Sequence, residues 1–221
     1  MAQQLTRRFI ADLDRRLDLP EPIVEFGSMQ VEPDQGGDMR SLFRDREFVG
    51  TDIREGRGVD RIEDLRSLSL GDGEVGTALC LDTLEHCEDP VRACQELSRV
   101  TGDGGITIIS SVMLFGVHAY PNDYFRFTPE GFRSLLSGFD AAEIGWVGDP
   151  DVPFQVFGVG AKGRDLDLSI NDLPSVNASQ KWWEEAPGRI RIGPFRYPPR
   201  ELAKLLSSEA GRYVRGRLTR R

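Results

Sequence analysis

Two short runs in the sequence combine residue types that suit the binding of a polyhydroxylated ligand. Glu25-Phe26-Gly27-Ser28 sets an acid, a glycine and a hydroxyl at the end of an apolar stretch. Asp52 closes a second stretch, Glu47-Phe48-Val49-Gly50-Thr51. A backbone turn at Gly27 lets a ligand approach closely, and the Asp52 carboxylate can accept bonds from two vicinal hydroxyls. That pairing suits a nucleoside better than a bare phosphate. A third run, Tyr120-Pro121-Asn122-Asp123-Tyr124-Phe125-Arg126-Phe127, is rich in aromatic and hydrogen-bonding groups. Tyr120 and Tyr124 could flank a planar or sugar ligand, while Asp123 and Arg126 could bind its polar edges or pair with each other. Phe125 and Phe127 read as packing residues.

These groups need a scaffold, and the periodicity predicts a mostly parallel α/β sheet. Leu5, Phe9, Leu13 and Leu17 recur every four residues, so residues 5–17 form an amphipathic helix that Pro20 and Pro22 stop. Ile23 to Phe26 reads as a buried first strand. Gln35-Gly36-Gly37 is a glycine-rich connection, and Met39, Leu42 and Phe43 suggest a short helix before the second strand. The βαβ order makes these two strands parallel neighbours. Ile62 to Leu65 reads as a short buried segment, Gly71-Asp72-Gly73 as a turn, and Val75 to Leu81 as a strand ending at Asp82. Asp89-Pro90 starts a helix with Val91, Cys94, Leu97 and Ser98 facing inward, stopped by Gly102, Gly104 and Gly105. Ile106 to Ser111 is the clearest buried strand. Thr128 caps a helix through Leu136, and Ala141 to Val147 with Phe154 to Ala161 reads as an antiparallel edge hairpin.

After Gly163 the composition changes. We expect a first domain over 1–163 and a C-terminal excursion, 164–221, whose returning helix (Leu202, Leu205, Leu206, Tyr213, Val214) packs on the core. Trp182 and Trp183, with Phe195 and Tyr197, read as anchors for that excursion, or as a lid or oligomer contact.

The 221 residues, 39% hydrophobic and 29% charged, suit an ordinary globular chain. A formal net charge of -8 opposes general binding to nucleic-acid phosphate. The arginines near both ends (Arg7, Arg8, Arg15, Arg16; Arg212, Arg215, Arg217, Arg220, Arg221) read as solvated faces, or as a docking patch for an anion. Cys80, Cys87 and Cys94 form no CxxC pair and read as structural thiols. His86 and His118 are the two histidines of the chain, too few for a histidine-rich zinc site, and no metal is expected. The N-terminal residues lack a secretory core and no run approaches a membrane span, so the cytoplasm is the default compartment.

The order of landmarks from VEFGSMQ through FVGTDIREGRGVDRIEDL and ALCLDTLEHCEDPVRACQELSRVTGDGGITIIS resembles the class I S-adenosylmethionine-dependent methyltransferases, in particular the methyltransferase type 11 group, over about residues 22–161. The resemblance implies a doubly wound, Rossmann-like sheet of seven strands, parallel except for an antiparallel last strand. It implies S-adenosyl-L-methionine as cofactor, with Glu25, Gly27 and Ser28 at its methionine part, Asp52 on the ribose hydroxyls, Asp64 and Leu65 at adenine, and Asp82 ending the fourth strand before Leu84, Glu85 and His86. One departure is visible: Met29 and Val31 stand where the family continues its glycines.

Methyl transfer from a sulfonium requires alignment of nucleophile, methyl carbon and leaving sulfur, and an alcohol acceptor benefits from a base near neutral pKa. His118, after the fifth strand, is the leading base, with His86 as competitor. Tyr120, Asp123 and Tyr124 complete the acceptor side of a small-molecule O-methyltransferase acting on a sugar or natural product. A non-catalytic binding or scaffold protein on the same fold is the alternative reading, favoured by the substituted glycine loop. A nicotinamide oxidoreductase would need the GxGxxG fingerprint that this chain lacks.

Overall fold

A computed structural model describes residues 2–30, 38–118, 122–185, 190–192 and 195–197, with Arg200, Ala203, Lys204 and Ser207 beyond them. Residues Met1–Gln180 form one compact unit and Lys181–Arg221 a second. The first unit opens with helix α1, Ala2–Leu17. Its four-residue rhythm does what the spacing predicts: Leu5, Phe9, Leu13 and Leu17 are buried, joined by Ile10. Each fully buried side chain of this kind contributes roughly 1.5–3 kcal/mol relative to exposure.

Seven strands make one sheet: β1 Ile23–Phe26, β2 Phe48–Asp52, β3 Arg61–Ile62, β4 Val75–Leu81, β5 Thr101–Val112, β6 Ala141–Gly148 and β7 Pro153–Ala161. Their spatial order is β3-β2-β1-β4-β5-β7-β6. The first five are parallel, and β7 runs antiparallel to both its neighbours. The late hairpin therefore does not simply extend the edge: its second strand lies between β5 and β6, and β6 is the edge.

Period-two alternation splits the core into two layers. Leu79 and Leu81 of β4 join Ile23, Ile106, Ile108 and Phe157 beneath α1. Ala78 and Cys80 face the other way, onto helices α2 (Pro90–Val100) and α3 (Pro129–Leu135) with Val24, Phe26, Ile109, Phe132 and Leu136. The cysteines are free and buried on this second face, as structural thiols should be. Both helices start as their caps dictate: Asp89 Oδ1 accepts from Arg92 N at 2.9 Å, and Thr128 Oγ1 from Gly131 N at 3.0 Å.

Three local expectations change. Ile62 is 49% exposed, because β3 is a two-residue strand at the sheet edge and not a buried segment. Val91 is 57% exposed; the inward stripe of α2 runs through Pro90, Ala93, Cys94, Leu97 and Val100, one residue round the helix from the expected face. Finally, β5 begins at Thr101, ahead of the glycines, since Thr101 already pairs with Val75.

Glu96 and Arg99, also on α2, explain the ELSRV landmark. Glu96 Oε2 accepts from Leu68 N at 3.0 Å, and Arg99 donates to the carbonyls of Leu68 and Leu70 and to Glu96. They clamp the chain between β3 and β4, the segment that carries Asp64 and Leu65.

The first unit continues past the compositional change at Gly163 as far as Gln180. Ile170 sits against Gly145, Asn171 Oδ1 accepts from Trp146 N, and Ser175 N donates to buried Asp12 of α1. Helix α4, Pro174–Glu185, crosses the division, with Trp182 and Trp183 on its later turns. In the second unit β8 (Ile190–Ile192) pairs antiparallel with β9 (Phe195–Tyr197). Most of the expected helix beyond Pro199, like Gln35-Gly36-Gly37, lies outside the described residues.

Candidate active site

At the C-terminal tips of the parallel strands, β1 lies between β2 and β4, and ligands of such sheets bind above this region. Phe26 pairs with Thr51, which brings Gly27 alongside Asp52. The amides of Gly27 and Ser28 both donate to Thr51 O, at 2.8 and 2.9 Å, and fix the turn. Asp52 Oδ1 accepts from Arg54 N at 3.1 Å, while its Oδ2 takes no hydrogen bond among the described residues. The side chain is 13% exposed, so one carboxylate oxygen remains for a ligand.

Gly27 is needed for a reason the sequence did not disclose. Its φ is +86°, and a Cβ there would lie 2.2 Å from Thr83 Oγ1. The group in close approach here is the Thr83 side chain, in the chain after β4. Similarly, a Cβ on Gly50 would lie 2.1 Å from Gly58 O, so residues 56–58 pass directly over β2. Met29, the departure from the glycine pattern, packs on Gly56 in that same segment. Val31 lies outside the described residues.

Glu25 is 8% exposed on the α1 side of β1. Burial, reinforced by the negative charge of Asp38 and only partly offset by Arg40, pushes its carboxyl up to about 8. The native state thus binds a proton that the unfolded chain releases near pH 4.5. The associated stability is complete below that pH, falls as pH rises towards 8, and then levels off. Glu25→Gln is expected to match the wild type near pH 4.5 and to exceed it at pH 8 by about 2–4 kcal/mol. Urea unfolding across this range checks it, and parallel curves for the two proteins would contradict the assignment.

Three of the expected cofactor residues use their polar atoms within the fold. Ser28 Oγ lies 3.1 Å from Thr51 O and 3.0 Å from Gly58 O, and ties β1 to the 56–58 segment. Both oxygens of Asp64 are held by Arg66, which also pairs with Glu88. Leu65 is half-buried against the α2 side of the core. Asp82 adopts φ +49°, a left-handed conformation costing about 1–2 kcal/mol outside glycine. Its carboxylate accepts from Ser110 Oγ at 2.9 Å, Gln155 Nε2 at 2.8 Å and Thr6 Oγ1 at 3.3 Å. It therefore binds β4 to β5, β7 and α1. Thr6 and Gln155 carried no sequence signal.

The residues expected at the acceptor side come from two segments. Glu85, buried in the single turn Leu84–His86, accepts from Ser111 Oγ at 2.8 Å. Its backbone carbonyl accepts from Tyr124 N at 2.8 Å and Phe125 N at 3.3 Å, fastening the loop after β5 to that turn. Burial, with Asp82 nearby, pushes the Glu85 carboxyl up to about 8, and burial pushes the His86 imidazole down. His86 Nδ1 lies 2.5 Å from Asn122 O. His118 Nδ1 lies 3.3 Å from Asp123 Oδ2, and its amide donates to the same oxygen at 2.8 Å. Arg126 grips Asp123 with both terminal nitrogens and holds its carboxyl well below the usual range. The rings of His86 and His118 meet edge to face with centroids 4.8 Å apart. The Asp123 side chain is 3% exposed, whereas Tyr124 is 45% exposed. Tyr120 lies outside the described residues.

Residues 39–109 match a family model described as "Methyltransferase domain", of type 11. Similar folds include a SAM-dependent methyltransferase from Archaeoglobus fulgidus (14% identity, 72% of this chain and 94% of that one, TM-score 0.55) and the YcgJ protein from Bacillus subtilis (9% identity, 71% and 98%, TM-score 0.53). The [4+2]-cyclase SpnF is also similar, at 15% identity over 72% and 82% with TM-score 0.52. No curated protein matches the chain. The strand order and the family match identify the fold of a class I S-adenosylmethionine-dependent methyltransferase. Over residues 39–109 the chain resembles the type 11 methyltransferase domain. No described helix is long and apolar enough to cross a membrane.

Proposed function

We propose that the acceptor is a hydroxyl of a sugar or natural product, and that Asp52 holds the ribose of S-adenosylmethionine. The observation that carries the cofactor half is the partly exposed Asp52 carboxylate standing beside Gly27 at adjoining strand tips, with Oδ2 unused among the described residues. Its acceptor oxygens fit two vicinal hydroxyls. Glu25 borders the methionine end, and Leu65 offers apolar surface to adenine. Ser28, Asp64 and Asp82 support these positions from behind, because their polar atoms are already engaged.

When bound, the sulfonium supplies an electrophilic methyl group. The chain's own residues align the acceptor and remove its proton. With Nδ1 turned to the Gly116 carbonyl and Asp123, His118 presents Nε2 to the acceptor hydroxyl, and the Asp123 carboxylate stabilises the imidazolium that forms. Tyr124 borders the acceptor.

A calorimetric titration with S-adenosylhomocysteine and a turnover assay over a panel of sugar and phenolic alcohols test this reading. Saturable binding and methylation of an alcohol are expected. No binding at about 1 mM ligand, a concentration at which even a 4 kcal/mol interaction registers, would overturn it.

A further inference from the structure

The acceptor end has a property that the proton-transfer reading does not use. Both histidines of the chain, from separate segments, meet there beside a buried carboxylate. Glu85, His86 and His118 each offer one ligand atom, and these atoms all lie within 4.8 Å of one another. We propose that these three side chains hold a divalent transition-metal cation of the zinc type.

The surroundings orient each group for this. His86 Nδ1 is engaged by the Asn122 carbonyl, and His118 Nδ1 lies 3.2 Å from the Gly116 carbonyl and 3.3 Å from Asp123 Oδ2, so Nε2 is the nitrogen left on both rings. A metal-bound histidine characteristically gives its other nitrogen to a carbonyl or carboxylate in this way. On Glu85, Ser111 holds Oε2 and leaves Oε1. The hydrogen bonds from Tyr124 N and Phe125 N to the Glu85 carbonyl tie the loop of Asp123 to the turn of His86, so the donors come from two segments already fastened together. Two imidazoles and one carboxylate suit zinc, cobalt or manganese better than magnesium or calcium.

Ligand atoms around a tetrahedral zinc ion stand roughly 3.4 Å apart, given bonds of about 2.1 Å. Closure from 4.8 Å is shared among three side chains, two of them partly exposed rings. Electrostatics favour an ion as well. Glu85 is a buried acid with the Asp82 carboxylate nearby, and Arg126, the guanidinium that acts on Glu85, closes its fork on Asp123.

Three protein ligands leave a coordination position open. This inference rests on the methyl-transfer reading for what enters there: the acceptor hydroxyl. Bound to the ion, the hydroxyl loses its proton to solvent and its oxygen keeps the electron pair. The Nε2 of His118 then belongs to the metal, and acidification by the ion replaces proton abstraction by the imidazole.

Untagged full-length protein stripped with a chelator, then titrated with Co²⁺ by visible absorption and with Zn²⁺ by calorimetry, provides the test. One ion per chain is expected. His86→Ala and His118→Ala should each weaken uptake by at least about 100-fold, and Asp123→Asn by about 10-fold. Thermal unfolding of the metal-free variants separates lost ligands from lost fold, with Glu85→Gln as the conservative variant at the buried position. No saturable uptake, or uptake that both histidine variants leave unchanged, overturns the site. S-adenosylhomocysteine binding to the stripped protein is measured in parallel. Retained binding without ion uptake removes only the metal, and ion uptake without nucleoside binding removes only the methyl-transfer reading.

Discussion

Asp52→Ala weakens the affinity for S-adenosylhomocysteine by about 100-fold, equivalent to ~3 kcal/mol, in the expected calorimetric result. A hydrogen bond to a charged acceptor contributes about 1.5–3 kcal/mol, and the carboxylate has two hydroxyls to hold. Asp52→Asn keeps one acceptor oxygen and loses the charge, so its deficit should be smaller, about 10-fold. Neither change should unfold the protein, since the hydrogen bond the side chain gives up within the fold is that from Arg54 N. Equal affinity in all three proteins would remove Asp52 from the site.

Gly27→Ala has the largest expected cost in stability. The left-handed backbone at φ +86° charges any L side chain about 1 kcal/mol, and the new Cβ would meet Thr83 Oγ1 at 2.2 Å, Cγ2 at 2.7 Å and Cβ at 3.0 Å. Overpacking of this kind costs about 1–3 kcal/mol, which places the total at about 2–4 kcal/mol. Thr83→Ala in the same chain removes two of the three contacts and should recover part of the loss, giving a non-additive double-mutant cycle in urea unfolding. A wild-type midpoint for the single variant would show that the turn relaxes freely.

The extent to which the sequence foretold this structure followed the range of the forces involved. Strands β1, β4 and β7 and helix α1 were legible because apolar periodicity and punctuation by proline and glycine act within a few residues. Val91 misled because a short helix offers two nearly equivalent apolar faces, and contact with the sheet selects between them. The position of Asp52 was legible, since a strand tip is a local feature. The engagement of Asp82 was not: Thr6 lies 76 residues before it and Gln155 73 after it, and their meeting depends on α1 and β7 docking on one sheet. The same holds for Glu85, His86 and His118. Counting two histidines argued against a metal, but a count does not show that both converge on one carboxylate.

The place of β7 inside the sheet also has a consequence for biosynthesis. Until residues 153–161 have been made, the outer backbone of β5 lacks its hydrogen-bonding neighbour, although Ile106, Ile108 and Ile109 are already available to drive collapse. A nascent chain halted before Pro153 therefore presents an apolar strand with an open row of amides and carbonyls, the kind of surface on which other chains nucleate. The ribosome must deliver the final hairpin before β5 is safe from such pairing.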